Sequence, residues 1–295
     1  MKPNDLRDRL FLVLSMLIFA TIGIARRYLP IPSGMLAMLR GAIGAAVLVA
    51  LLFAFGKRLD LRAIRKPLWR LILGGVLIGL NWIFLFESYR YTTVAVATLC
   101  YYTAPVIVLL LSPLVLGDRL TRRGVVSILL ALVGIVFVSG VLTGDGLGGR
   151  DALGVLFGLL AAVLYASVIL LNKTVTGVGA PERTVVELLS AAVLLLPYTL
   201  VFEDLSAIEL TLPICLIILL VGVLHTGIAY ALYFGTIGTL PAATVSVLSY
   251  LDPVGAILLS ALFLHEPLTP SVIVGTVLIL GGTLISELPA RRKKD

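Results

Sequence analysis

Apolar runs bounded by short polar turns divide the whole chain. They fall at about Leu10–Ala25, Met35–Phe55, Leu71–Phe86, Val94–Leu116, Val125–Leu142, Ala152–Leu171, Val185–Phe202, Leu212–Phe234, Ala242–Leu264 and Val272–Ile285. A helix needs roughly 20 mostly apolar residues to cross a bilayer, and these ten runs approach or reach that length. The fourth run and its flank, AVATLCYYTAPVIVLLLSPLVLGDRLT from Ala95 to Thr121, return 148 residues later as ATVSVLSYLDPVGAILLSALFLHEPLT from Ala243 to Thr269. The echo continues without a gap from Gly74/Gly222 to Gly134/Gly282. Leucine pairs are cheap in so apolar a chain. Shared glycines, a tyrosine, a phenylalanine and a proline are not, and they indicate a duplicated membrane unit. The first run resembles a secretory signal by length and by its Gly23-Ile24-Ala25 end. At the same offset it lands on Gly158–Lys173, so the duplication requires it as a helix. The expected fold is an all-α polytopic membrane protein with ten transmembrane helices. Residues 1–142 form one five-helix repeat, 143–151 a periplasmic connector, and 152–295 the second repeat with a basic tail.

Composition agrees. Hydrophobic residues make up 60% of the 295 and charged ones 13%, with mean hydropathy +1.12. A soluble domain could not cover itself with so little charge. The net charge of +7 would suit a nucleic-acid partner if it were clustered on one surface. Instead it marks topology. With the N-terminus in the cytoplasm, 18 of the 23 lysines and arginines fall in cytoplasmic segments, including the tail Arg291–Lys294. This bias puts both termini inside. Five helices per repeat is an odd number, so the second copy is inserted upside down. Inverted repeats place a site near the bilayer midplane, where the halves meet.

Helical spacing then sorts the polar and aromatic positions. On the third helix Gly75, Gly79, Trp82, Phe86 and Tyr89 share a stripe, matched on the eighth by Gly227, Tyr230 and Phe234. On the fourth, Ala95, Thr98, Tyr102 and Pro105 share one, matched on the ninth by Ala243, Ser246, Tyr250 and Pro253. Lipid offers a hydroxyl no partner, so these faces are expected inside the bundle. Trp82, Phe86, Thr98, Tyr102, Tyr230, Phe234, Ser246 and Tyr250 are the candidate cavity residues, with core packing as the plain alternative. Tyr89 and Tyr91 suit an interfacial belt. Pro105 and Pro253, each removing a backbone donor near mid-helix, are candidate hinges. Intramembrane ionisable groups are functional suspects by default. Asp252 and His225 are candidates for proton coupling, although Asp252 falls about 240° from Ser246 on the wheel at 100° per residue, and His225 leaves its aromatic stripe. Arg40, little more than a turn into its helix, is expected to snorkel. Glu187 is expected to be wetted. The glycines of the fifth and tenth helices suit close packing at the periphery, leaving room for a homodimer contact.

No phosphate loop, HExxH, cysteine cluster or nucleophile–base spacing occurs. The glycine-rich TGDGLGGRD at 143–151 lacks the Gly-Lys-Ser/Thr ending. Neither enzyme chemistry, a cofactor nor a metal is expected. The partners expected are a small-molecule substrate and membrane lipid, with no nucleic acid.

The run ESYRYTTVAVATLCYYTAPVIVLLLSPLVLGDRLT and its second copy FGTIGTLPAATVSVLSYLDPVGAILLSALFLHEPLT resemble the EamA repeat of the drug/metabolite transporter superfamily. The resemblance covers essentially the whole chain and is most specific in Pro105 and Pro253 followed by Gly117–Thr121 and His265–Thr269. It implies a ten-helix carrier of the bacterial inner membrane that exports amino acids, other metabolites or drugs. The YddG-like exporters of aromatic amino acids are the subgroup the aromatic faces suit. The family often carries Glu where this chain has Asp252. The function expected is alternating-access export of amino acids or other neutral amphipathic solutes. The alternative is efflux of lipophilic cations, for which Asp252 is the one central carboxylate.

Overall fold

The computed structural model describes residues 3–56, 59–139, 150–206, 208–236 and 238–287, and every regular element among them is helical. The first half comprises α1 (Pro3–Ala20), α2 (Ile22–Arg27), α3 (Ser33–Ala54), the short α4 (Leu61–Arg65), α5 (Leu68–Tyr91), α6 (Val94–Tyr101), α7 (Ala104–Val115) and α8 (Arg122–Val138). The second comprises α9 (Arg150–Lys173), α10 (Ala180–Phe202), α11 (Leu212–Leu219), a π-helical stretch Leu220–Ile228, α12 (Ala229–Thr236), α13 (Ala242–Ser249), α14 (Leu251–Phe263) and α15 (Pro270–Glu287). Among the described residues, eight helical spans are long and apolar enough to cross a membrane. They are built from α1–α2, α3, α5, α6–α7, α9, α10, α11–α12 and α13–α14. The fifth and tenth expected spans are the shorter α8 and α15, of 17 and 18 residues. The connector expected at 143–151 lies outside the described residues up to 149, while Arg150 and Asp151 already belong to α9. The basic tail also lies outside them.

Local chemistry explains the helix ends. The hydroxyls of Thr121 and Thr269, partners at the 148-residue offset, accept from the N–H of Gly124 and Val272 at 3.1 and 3.3 Å. Thr93 does the same for Val96 at 3.1 Å and starts α6. Each satisfies one orphan donor of a first turn. Gly117 and His265, also offset partners, both have positive φ, 72° and 53°. The two copies therefore turn the chain the same way, once with glycine and once with a residue that must tolerate the left-handed region.

The prolines do not bend continuous helices, as the sequence suggests. α6 stops at Tyr101, and α7 restarts at Ala104 with Pro105 in its first turn, where a missing N–H costs nothing. Thr103 Oγ1 donates to the Cys100 carbonyl at 2.6 Å, closing the break. The ninth span breaks likewise at Tyr250, just ahead of Pro253.

Helices α3, α5, α10 and the π-helical stretch pack around the main core, in which Leu36, Trp82, Phe86, Leu188 and Val221 are buried. The α5–α10 crossing is close: a Cβ on Gly75 would lie 2.5 Å from that of Ser190. Helices α8 and α15 pack chiefly on each other to one side, where a Cβ on Gly134 would meet the Gly275 carbonyl and the Leu278 Cβ at 3.1 Å. Leu114, Leu129, Val193 and Val277 are among the large apolar side chains left on the outside, a surface suited to acyl chains.

Candidate functional site

Two breaks and one irregular helix bring the polar groups together. The turn between α6 and α7 presents Tyr101 and Tyr102. The hydroxyl of Tyr102 donates to the carboxylate of Asp252, which begins α14 in the other half of the chain. Tyr101 meets Tyr102 edge-on at 6.0 Å and stacks on Tyr165 of α9 at 5.3 Å. Tyr250 packs in the same apolar cluster as Tyr102. On the far side Tyr230 meets Phe234 at 5.8 Å and Phe19 at 5.5 Å, both edge-to-face. Tyr101, Tyr102, Tyr230, Phe234, Tyr250 and Asp252 are all half-buried, so these groups keep an open surface.

Trp82 and Phe86 stand behind that surface, 4% and 0% exposed. Their rings carry the guanidinium of Arg40, whose centre lies 3.9 and 5.5 Å from their centroids. Arg40 is itself only 3% exposed, and its Nε donates to Thr226 Oγ1 at 3.1 Å. The expectation that Arg40 snorkels is therefore overturned. Its depth from the helix end misled, because α3 is walled at that level by α5, α10 and the π-helical stretch. Asp252, off the Ser246 face by the wheel, accepts from the hydroxyl of Tyr102 on the neighbouring span. Ser246 is half-buried on α13, and among the described residues no hydrogen bond joins it to the Tyr102 group.

Thr98 is buried on α6 with its hydroxyl 3.4 Å from that of Tyr89. Tyr89 is thus an interior residue and not part of an interfacial belt, whereas Tyr91 is half-buried against Phe157. His225 is engaged at both ring nitrogens, with Thr21 Oγ1 at 2.9 Å and the Leu220 carbonyl at 3.3 Å. Glu187, expected to be wetted, is buried, and its Oε1 has no hydrogen-bond partner among the described residues.

One end of the bundle is tied shut. The Glu266 carboxylate, in the turn after α14, accepts from the N–H of Val94 at 3.0 and 2.8 Å, capping α6. Arg27 reaches the same carboxylate at 3.0 Å and the Thr92 carbonyl at 2.6 Å. Beside this tie a cavity of about 220 Å³ is lined by Arg26, Arg27, Leu29, Tyr89 and Arg90. Nearby, Glu203 caps α3 through the N–H groups of Gly34 and Met35 at 2.7 and 2.8 Å. At this end α6 packs on α14, whereas among the described residues their offset counterparts α13 and α7 share no comparable interface at the other.

Comparison with known proteins decides the family. The EamA-like transporter family matches residues 9–140 and again 152–288. The chain belongs to that family. It is a multi-pass membrane transporter of the drug/metabolite transporter superfamily. A relative, the uncharacterized transporter YxxF of Bacillus subtilis (strain 168), is 28% identical over 254 residues, covering 85% of this chain and 80% of that one. Protein PecM of Dickeya dadantii (strain 3937) is 27% identical over 284 residues, 93% and 91% of the two chains. A protein of known crystal structure superposes with a TM-score of 0.69 at 24% identity, over 99% of this chain and 100% of that one, which speaks to the fold. For this EamA chain, sequence reasoning missed Arg40, Tyr101, Tyr165 and Glu266. Only Glu266 carried a signal, as the offset partner of Asp118 in the family's Gly-Asp/His-Glu turn.

Proposed function

We propose that the protein exports amino acids, aromatic or otherwise amphipathic, across the bacterial inner membrane by alternating access. In this reading the ten expected spans form two inverted five-helix repeats, 1–142 and 152–295, with both termini cytoplasmic. The packing supports it: α5 on α9 has its counterpart in α12 on α1, and α10 on α5 in α3 on the π-helical stretch. The self-paired contacts α3–α10 and α8–α15 lie where a pseudo-two-fold axis would pass. Thr98, Ser246, Trp82, Phe86 and the tyrosines line or back the pathway, and the helix breaks ahead of Pro105 and Pro253 act as hinges.

The observation that carries the reading is the Tyr102–Asp252 hydrogen bond between the two halves, set among half-buried rings. A carboxylate there offers counter-charge to an ammonium group, and the ring faces offer about 0.5–2 kcal/mol per cation–π contact. The same carboxylate supports the second reading, efflux of a lipophilic cation. The density of hydroxyls favours a polar substrate over one that brings no hydrogen-bonding groups.

Efflux from proteoliposomes loaded with a panel of amino acids or with one lipophilic cation tests the choice. Saturable amino-acid flux lost in Asp252→Ala supports the first reading. Cation flux without amino-acid flux overturns it in favour of the second.

A further inference from the structure

A buried cation without a counter-ion is costly, and proteins rarely keep one without use. Arg40 is such a group. Among the described residues no carboxylate forms an ion pair with it. Its one side-chain hydrogen bond among them uses Nε, to Thr226, which leaves the two Nη groups of the guanidinium fork. Trp82 and Phe86 hold its guanidinium over their rings. Tyr101 and Tyr230 pack against the core of Trp82 and Phe86 that carries Arg40. Tyr101 also meets Tyr102, the donor to Asp252. The tyrosines therefore connect the surroundings of the cation with those of the carboxylate.

We propose that Arg40 anchors the carboxylate of the substrate, while Asp252 takes its ammonium group. The planar fork matches a carboxylate in two parallel bonds. The inference rests on the amino-acid reading and sharpens it: the substrate is a zwitterion, and the anionic half is recognised by Arg40. Binding of L-phenylalanine, 3-phenylpropionate (no ammonium) and phenethylamine (no carboxylate) to the purified full chain tests it, with Arg40→Lys and Arg40→Gln beside it. The expected result is tight binding of L-phenylalanine, weakened about tenfold or more in Arg40→Gln as befits hydrogen bonds to a charged group, with phenethylamine unaffected. Arg40→Lys, which keeps the charge without the fork, falls between and guards against misfolding. Phenethylamine binding as tightly as L-phenylalanine, unchanged by either variant, overturns the Arg40 role and leaves aromatic transport standing. No binding by any of the three overturns the aromatic amino-acid reading and this inference with it.

A second inference rests on the tied end. At the 148-residue offset Glu266 corresponds to Asp118, and Val94 and Ala95 to Ala242 and Ala243, the first turn of α13. The turns carrying the two acids share positive φ at Gly117 and His265. Yet Glu266 caps α6, while Asp118 is exposed and bonded to Ser112 of its own segment. We infer that Glu266 latches the outer end and that Asp118 takes the N–H groups of Ala242 and Ala243 to latch the inner end in the alternate state. This builds on the inverted-repeat reading but needs no substrate for its test. In a Cys100→Ala/Cys215→Ala background, Ala95→Cys is labelled from outside with a membrane-impermeant maleimide. Glu266→Ala, or the milder Arg27→Gln, is expected to raise labelling several-fold, and Asp118→Ala to leave outside labelling unraised. Outside labelling unchanged by Glu266→Ala, or raised equally by Asp118→Ala, overturns the latch pair.

Discussion

The bond between Tyr102 and Asp252 can be weighed by a double-mutant cycle. Tyr102→Phe removes the donor and keeps the ring. Asp252→Ala removes the acceptor. Side-chain hydrogen bonds within membranes average about 0.6 kcal/mol in such cycles and reach about 1.7. A bond to an ionised carboxylate is stronger than a neutral one, about 1.5–3 kcal/mol when buried. Here both partners are half-buried, so water competes and the lower part of that range applies. The expected coupling is about 1–2 kcal/mol. Tyr102→Phe alone should destabilise by somewhat more than the coupling, because it also leaves a partly desolvated carboxylate short of a donor. Asp252→Asn should cost less than Asp252→Ala, since an amide oxygen still accepts from the phenol. Reversible unfolding in mixed micelles, followed by circular dichroism for the wild type, both single variants and the double variant, gives the coupling directly. Additivity within about 0.3 kcal/mol would show that the two halves are not joined here, and the reading of Asp252 as a residue held at the centre would fall.

Other outcomes follow from particular contacts. Glu187→Gln should stabilise the protein by about 1 kcal/mol, because among the described residues Glu187 Oε1 and Asn172 Oδ1 are both buried without partners and a glutamine amide can donate to the latter; a lower unfolding temperature would refute this. Gly134→Leu should destabilise by about 1–3 kcal/mol by forcing α8 off α15, read by thermal unfolding in detergent. His265→Gly should raise stability by up to about 1 kcal/mol, since φ there is 53°, whereas Gly117→Val at φ 72° should lower it by about 1–2 kcal/mol. His225→Gln should leave the pH profile of transport unchanged, because both ring nitrogens are engaged inside the protein; a flattened profile would support His225 as a coupling residue.

Hydropathy and the internal repeat made the helical class and the order of the elements legible, because those depend on local pattern and on length. The site was legible only in part. Tyr102, Tyr230 and Phe234 are where a helical stripe with a repeat partner suggested an interior surface. The break ahead of Pro253 was not legible, because Tyr250, three residues before that proline, shows no outward sign of ending a helix. Around His225 a π-helical stretch adds a residue per turn, which moves every later position on the wheel. Arg40 and Glu187 were misjudged for a different reason. Position along a helix gives depth in the bilayer, but not whether neighbouring helices wall off the side chain at that depth. That is set by α3, α5 and α10 meeting at glycines such as Gly75, where close approach excludes water as well as lipid. The consequence falls on Arg40, whose charge was assigned to the membrane surface and which, on the proposed reading, gives the aromatic stripe a preferred substrate chemistry.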